Sequence, residues 1–471
     1  MFCTVNRGSV IQFSVAFLAC LTELTGCMFL AWTSPVVGIL MTEHTVLKSG
    51  SLTEDQVSFM VSLLYYGQIA GALLGGWLVN VIGRKRVILA SVIPQLVSSA
   101  LTILAQIPLM LYTAKVLTGL SLGIVIVVVP IFTAEISGKK LRTTINNLFG
   151  ININIGIFLG KILTEKFGYY AVPIAIITIT IIFVGLFVLI PDSPEYLVYR
   201  SRFEDAESSL KFYRGVKSDD PLPRACIQEL EEMKTILNHR SQQTSVTIKD
   251  FTSGSTILTL FITFMITSNM NFTGNRITTS FTDTILESSG ILMDISLIEM
   301  IISLVLIFMS ILVMCCVCWL GVRFSMICFY VISFVSLSGA AVQFYMVEHN
   351  MFVPKWPFIT SISLAIVIPA TGVINPSLPI PALLLPMKIK GCILGIFNVA
   401  NLILAFFMVQ TYFTVVQSFG HSNLMFSFGC WCVLGALFTF YILPEVSNKS
   451  YSELCYELEW KAQKIFRIFN Y

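Results

Sequence analysis

The chain has 471 residues, of which 56% are apolar and only 12% charged, and its mean hydropathy is +0.83. An aqueous domain carries about 25% charged residues, so this composition excludes a single soluble globule and requires lipid to take up apolar surface. The net charge of +3 gives no case for a nucleic-acid partner.

A helix needs about 20 apolar residues to cross the hydrocarbon of a bilayer. Six such runs come first, at about 11–33, 57–81, 87–107, 109–134, 147–165 and 169–190. No convincing cleavage site ends the first, which is expected to remain as a span. Residues 191–250 form the long polar segment of the chain, with Arg200, Glu204, Lys211, Arg224, Glu229 and Lys234 among them. They predict a soluble bridge. Six more runs follow at about 255–275, 291–320, 323–346, 356–386, 391–416 and 423–443. The runs are long and do not alternate apolar with polar residues, which favours helices over barrel strands. The predicted fold is an all-α membrane protein with 12 transmembrane helices in two six-helix bundles. Its parts are 1–190, a linker with short helices at 191–250, 251–443, and a tail at 444–471.

Bases mark one side of the membrane. Arg84, Lys85 and Arg86 follow the second run, Lys139, Lys140 and Arg142 the fourth, Arg323 the eighth, and Lys388 and Lys390 the tenth. The opposite loops carry Glu43, Glu54, Asp55, Asp283, Glu287, Asp294 and Glu348. The basic side is expected to be cytoplasmic, which puts both termini and the bridge there. Related features recur: Gly83 and Gly321 (offset 238), Lys140 and Lys388 (248), Pro191 and Pro444 (253). Two parallel repeats of six spans are therefore expected, with a solute site near mid-membrane.

No cofactor, metal or catalytic chemistry is expected. Of twelve cysteines, eight lie in apolar runs, where a thiol behaves as a small hydrophobe. The four histidines lie in loops or at span ends, no Cys/His spacing suits a metal, and no phosphate-binding loop is present.

Several motifs stand at the span boundaries in order. They are Ala31-Trp32-Thr33-Ser34-Pro35, Ser51-Leu52-Thr53-Glu54-Asp55-Gln56, Leu117-Thr118-Gly119 with Gly123, and Glu135 six residues ahead of Arg142. Pro191-Asp192-Ser193-Pro194-Glu195-Tyr196-Leu197 and Pro444-Glu445 complete the set. Across nearly its whole length the chain resembles the sugar porter branch of the major facilitator superfamily, and within it the insect facilitated trehalose transporters. The resemblance implies a carrier for a small polar solute, most of all a hexose or disaccharide, working by alternating access. It also implies a plasma-membrane location. Two other readings stay open: a transport-inactive sensor, and a carrier of a non-sugar or anionic solute.

Carboxylates and guanidinium groups at cytoplasmic span ends can close the inner side of such a path. Arg84, Arg86, Glu135, Arg142, Arg323, Lys390 and Glu445 have the chemistry and place for this, or serve only as interfacial anchors. A sugar needs amides, hydroxyls and aromatic platforms. The resemblance assigns those roles to Trp32, Asn154, Asn271, Thr273 and Asn401, with Arg276 where the family has an asparagine. Elsewhere the sequence departs: Gly150 replaces a glutamine, and Leu306, Ser377-Leu378, Leu383 and Leu402 replace further polar or aromatic groups. Lys115 stands where the family has an arginine. Glu23, within the first span, is either a proton-coupling carboxylate or a structural acid paired to a base. Arg276 either pairs with Asp283 or meets an anionic solute.

Overall fold

The structure is a computed structural model describing residues 7–42, 46–138, 141–217, 220–221, 223–241, 254–280, 285, 295–349, 351, 355–377, 380–385, 387–446, 449, 453–454 and 456–461. Lys139, Lys140, Asp283 and the end of the predicted bridge fall outside them.

Nearly all of it is helical. The first six helices are α1 (Arg7–Met41), α2 (Glu54–Val81), α3 (Arg84–Ile103), α4 (Pro108–Ile136), α5 (Arg142–Phe167) and α6 (Ala171–Phe187). Three short helices form the bridge: α7 (Pro194–Tyr199), α8 (Phe203–Arg214) and α9 (Arg224–Ser241). Then come α10 (Gly254–Phe272), α11 (Asn275–Ser280), α12 (Ile295–Leu320), α13 (Val322–Glu348) and α14 (Lys355–Ile368). A π-helical turn at Pro369–Ile374 continues α14 into α15 (Asn375–Ser377) and α16 (Ile380–Leu384). The last long helix, α17 (Met387–Tyr441), breaks at Gly420, whose φ is 78°. Among the described residues, ten helices are long and apolar enough to cross a membrane, and two shorter apolar ones lie at 171–187 and 256–269. Together they occupy all twelve predicted runs. The chain is a multi-pass membrane protein.

Local chemistry sets the helix ends. Thr53 and Gln56 form a reciprocal capping box at the start of α2, with Thr53 N–H donating to Gln56 Oε1 at 3.1 Å. Gly83 and Gly321 precede α3 and α13 with φ of 96° and 82°, a region that favours glycine.

The contacts group the chain into two compact units. The first comprises Met1–Thr259 with Ala382–Ile396 and Asn448–Tyr471. Within it, α2 and α4 approach so closely at Gly67, Gly71, Gly119 and Gly123 that a Cβ at any of them would meet the opposite backbone. This small-residue packing suits a membrane, where apolar surface gains nothing by leaving lipid. Gly156 and Gly160 of α5 meet the α1 backbone in the same way. Hydroxyls tie α3 to α4: Ser98 and Thr118 share a 2.6 Å bond, and Ser121 donates to the Ser91 carbonyl at 2.7 Å.

The bridge is folded onto this unit. Leu197, Val198, Ala206, Leu210, Cys226 and Leu230 make its core. Arg214 pairs with Glu229 at 2.5 Å and donates to the Ile136 carbonyl at 3.1 Å. Gln12 donates to the Tyr213 carbonyl and accepts from Gly138 N–H, both at 2.9 Å.

The second unit comprises Leu260–Pro381 and Phe397–Ser447. In it Asn375, just past the π turn, donates to the Ser310 hydroxyl of α12 at 3.1 Å.

Candidate functional site

In the second unit, polar side chains collect where α10 ends. Gly274, with φ of 79°, breaks the helix and seats against the Phe428 ring. The asparagines ahead of the break are buried, at 1% exposure for Asn269 and 0% for Asn271. Asn271 donates to Asn401 Oδ1 at 2.6 Å, and its own Oδ1 has no hydrogen-bond partner. Asn275 Oδ1, just past the break, is likewise buried without one. Thr273 donates to the Asn269 carbonyl at 2.7 Å. Asn269 accepts from Trp431 Nε1 at 2.8 Å and donates to Tyr330 Oη at 2.5 Å. The Trp431 ring lies 4.6 Å from that of Phe272. Arg276 is half-buried on the first turn of α11.

An unpaired amide oxygen in a dry interior costs about 1–3 kcal/mol. Two of them at one helix break, beside aromatic rings, can accept the hydroxyl hydrogens of a polar solute. The sequence reading selected Asn271, Thr273, Arg276 and Asn401. It passed over Asn269, Asn275, Tyr330 and Trp431. The run of Asn269, Asn271 and Asn275 inside an apolar span was the available signal for the first two; nothing local marks the others.

In the first unit, α5 carries a second set of amides. Asn147 and Asn154 lie seven residues apart on one face, roughly opposite the glycines that meet α1. Asn154 is 7% exposed. Asn146 and Asn147 are each 2% exposed, and neither amide atom of either residue has a partner. Gly150, where the family has a glutamine, stands between Asn147 and Asn154.

Trp32 is fully buried against Phe29, with its ring N–H donating to the Tyr169 carbonyl at 2.9 Å. It is a core anchor whose only polar atom is committed. Lys115, also buried, places its ammonium 4.5 Å over the Phe29 ring and 5.0 Å over that of Trp32. It donates to Thr33 Oγ1, ten residues along α1 from Glu23.

Glu23 is buried, at 4% exposure. Its Oε1 accepts from the Cys27 thiol at 3.7 Å, while Oε2 has no hydrogen-bond partner. The flanking hydroxyls do not serve it, since Thr22 and Thr25 donate to the Ala19 and Thr22 carbonyls. A small cavity lined by Thr22, Thr25, Gln95, Ser121 and Thr180 lies within the same unit. By helical spacing it borders the opposite face of α1 from Glu23.

The predicted gate residues divide between the units. Arg84 and Glu135 form a fork, with Nε at 2.9 Å from Oε2 and Nη2 at 2.8 Å from Oε1. Their side chains are 3% and 1% exposed. Ser193 donates to Glu135 Oε2 at 2.5 Å, and the Arg84 guanidinium sits 4.9 Å over the Tyr196 ring. Arg142 reaches Glu195 at 3.6 Å. Lys390, buried, stands within electrostatic reach of both Glu135 and Glu195. Burial, with the Glu135 charge adding to it, lifts the Glu195 carboxyl above its ordinary range against the pull of Lys390, Arg142 and Arg84. Burial also lifts Asp192, opposed chiefly by the backbone N–H groups of Ser193 and Lys85. Arg86 is exposed. In the second unit, Glu445 accepts from the backbone N–H groups of Val322 and Arg323, each at 3.2 Å. Arg323 donates to the Thr439 carbonyl at 3.3 Å and to that of Phe440.

Residues 14–458 match the family described as sugar (and other) transporter. A facilitated trehalose transporter homologue of Drosophila sechellia is 25% identical over 90% of this chain and 86% of its own length. One from Polypedilum vanderplanki is 24% identical over 93% and 86%. Among solved structures, the proton:xylose symporter XylE bound to 6-bromo-6-deoxy-D-glucose superposes with a TM-score of 0.79 at 19% identity, covering 95% of this chain and 99% of that one. An inward-open form of the xylose transporter XylE from E. coli gives 0.65 at 18% identity, covering 94% and 99%. The fold is that of the major facilitator transporters, and the chain belongs to the sugar (and other) transporter family.

Proposed function

We propose that the protein carries a small polyhydroxy solute, a hexose or a disaccharide such as trehalose, across the plasma membrane by alternating access. The observation that carries this is the row of buried amides at the break in α10, with two carbonyl oxygens left for a ligand. Asn271, Thr273 and Asn401 would orient hydroxyls there. Trp431 and Tyr330 would hold Asn269 in place; within the first unit, Asn147 and Asn154 of α5 are separate candidates for the solute path. The names of the trehalose-transporting relatives support the same solute class.

Arg84, Glu135, Arg142, Glu195 and Lys390 would form the inner closure. Lys390 belongs to the second repeat in sequence, so an opening that parts the repeats would take it from Glu135 and Glu195. The basic loops support a cytoplasmic position for this end and for both termini. Glu23, with one oxygen unpartnered, is placed to take up a proton if flux is coupled to a gradient.

Uptake of radiolabelled trehalose and glucose in oocytes or proteoliposomes is the test. Saturable uptake above water-injected controls is expected, weakened by Asn271→Ala. Uptake at control level for every sugar tried overturns the reading. Saturable binding without flux would point to a sensor, a reading favoured by Leu306 and Leu402, both buried where the family has polar or aromatic groups.

A further inference from the structure

Several arginines around the start of α3 are committed to partners. Arg84 is forked to Glu135, Arg142 reaches Glu195, and Arg202 pairs with Asp205 at 2.7 Å. Arg200 donates to the Val81 carbonyl and, at 3.1 Å, to Tyr196 Oη. Arg86 differs. It is exposed on the first turn of α3 and makes no hydrogen bond or ion pair among the described residues. Lys85 stands within electrostatic reach of it. The Lys85 ammonium donates to the Val188 carbonyl at 2.7 Å, which ties the start of α3 to the end of α6. Asp192 is also within reach of Lys85, and its carboxylate accepts from the backbone N–H groups of Lys85 and Ser193. Two positive side chains thus stand beside one carboxylate, which leaves the corner net positive.

Beyond Arg86 the same face of α3 is apolar. Ile93, Val97 and Leu104 follow at seven, eleven and eighteen residues, close to whole turns, and all three are exposed. On the neighbouring α6, with which α3 packs, Ile182 and Leu186 are exposed at helical spacing, and Leu189 just past its end is 80% exposed. An aqueous path for a polar solute needs polar walls, whereas these six side chains are aliphatic and suit lipid. Arg86 therefore stands at the headgroup level, where water meets lipid phosphate, at the head of a surface for acyl chains.

We propose that this α3–α6 corner binds an anionic glycerophospholipid, with its phosphate on Arg86 and Lys85 and an acyl chain along Ile93 and Val97. The uncommitted guanidinium presents a planar fork of donors that matches two phosphate oxygens. Lys85 keeps two ammonium hydrogens beyond its bond to Val188. A lipid with net negative charge is preferred to a zwitterionic one, because the choline cation would face the same positive corner. Binding requires neither transport nor a particular orientation of the chain. The cytoplasmic orientation proposed above would present the corner to the anionic leaflet.

The test is native mass spectrometry of the purified full-length protein in detergent, with phosphatidylserine and phosphatidylcholine added at equal concentration. The wild type should retain one phosphatidylserine in preference to phosphatidylcholine. Arg86→Gln should lower that preference about fivefold, Arg86→Lys should keep most of it, and Arg202→Gln should leave it unchanged. No preference in the wild type, or an undiminished one in Arg86→Gln, overturns the proposal. A loss as large in Arg202→Gln means diffuse attraction to basic groups and also overturns it. Glycerophosphoserine, the headgroup without acyl chains, should not displace the lipid at equal concentration; displacement would mean a site for the phosphate alone and overturns the role of the aliphatic stripe. Should Arg86→Gln not yield folded protein, a phosphatidylserine with a photoreactive acyl chain decides on the wild type. Crosslinks are expected within 86–104 and 174–189, and crosslinks elsewhere with none in these segments overturn the proposal.

Discussion

The starts of α3 and α13 are built alike and then diverge. Each follows a glycine in the left-handed region, and each has a carboxylate from a Pro-acid pair turned on its first backbone N–H groups. Asp192 accepts from Lys85 N–H at 3.4 Å; Glu445 accepts from Val322 and Arg323 N–H at 3.2 Å. The arginines part company. Arg84 lies in a buried fork with Glu135, whereas the Arg323 guanidinium donates to the Thr439 and Phe440 carbonyls and lies 5.9 Å from the Phe440 ring. The repeat offset explains this, since Glu135 advanced by 248 residues is Leu383. The second half has a leucine at that position, and the Arg323 side chain donates to backbone carbonyls instead. A buried charge pair is costly to break because it leaves one ion alone in a dry site. A charge resting on carbonyls near water has little to lose. The first unit's closure should therefore be the brittle one.

The largest predicted effect tests that contrast. Glu135→Gln leaves the Arg84 guanidinium buried without its counter-charge and should cost about 3–5 kcal/mol of stability. Glu445→Gln keeps an acceptor for the α13 N–H groups and should cost about 1 kcal/mol. Denaturation of both purified variants in detergent measures the difference, and equal losses would break the comparison.

A second contrast concerns amides. Asn271 finds a partner in Asn401, whereas Asn146 and Asn147 have none. Replacing a paired buried amide orphans its partner; replacing an unpaired one removes a desolvation cost. Asn147→Leu should thus raise stability by about 1 kcal/mol while weakening sugar uptake, and Asn271→Leu should lower both. Thermal midpoints and KM values for the two variants give four signs to compare. An Asn147→Leu protein with unchanged KM would remove this residue from the solute path.

Hydropathy is a local property, so all twelve runs were legible in the sequence. So was the likeness of the two helix starts, through the recurring glycine and Pro-acid pairs, whereas the break of α10 at Gly274 falls inside a run read as one span at about 255–275. The rest depends on helix rotation and on partners far apart in the chain. Arg84 and Arg86 look equivalent as letters, yet two residues on a helix turn one inward to Glu135 and the other to solvent. Trp32 suggested a platform for a solute, but its ring N–H meets a carbonyl 137 residues away. Ser193 matched a motif without revealing that its hydroxyl completes the Glu135 shell. Tyr213, Arg214 and Gln12 held no visible hint that the bridge docks on the first unit.

The smallest predicted effect is a pH response of the inner closure, and its sign runs against intuition. Acid is expected to break ion pairs, and Glu195 pairs with Arg142. Burial and the nearby Glu135 nevertheless outweigh Lys390, Arg142 and Arg84, so the Glu195 carboxyl is raised in the closed cluster. Once the cluster opens to water, the carboxyl returns toward its ordinary value of about 4.3. The closed form therefore binds the proton more tightly, and acid stabilises it. That stabilisation is complete below the ordinary value and is lost as pH rises through the raised one. Asp192 is shifted in the same direction and adds to the effect. Solute exchange in proteoliposomes limited by opening should slow as the bridge-side pH falls from neutral toward the carboxyl range. Glu195→Gln should reduce the slope, and Asp192→Asn with Glu195→Gln should flatten it. Faster exchange in acid would mean that the Arg142 pair, and not desolvation, governs Glu195. The first unit's closure would then be held by attraction at both of its carboxylates, where the geometry gives that role to Glu135 alone.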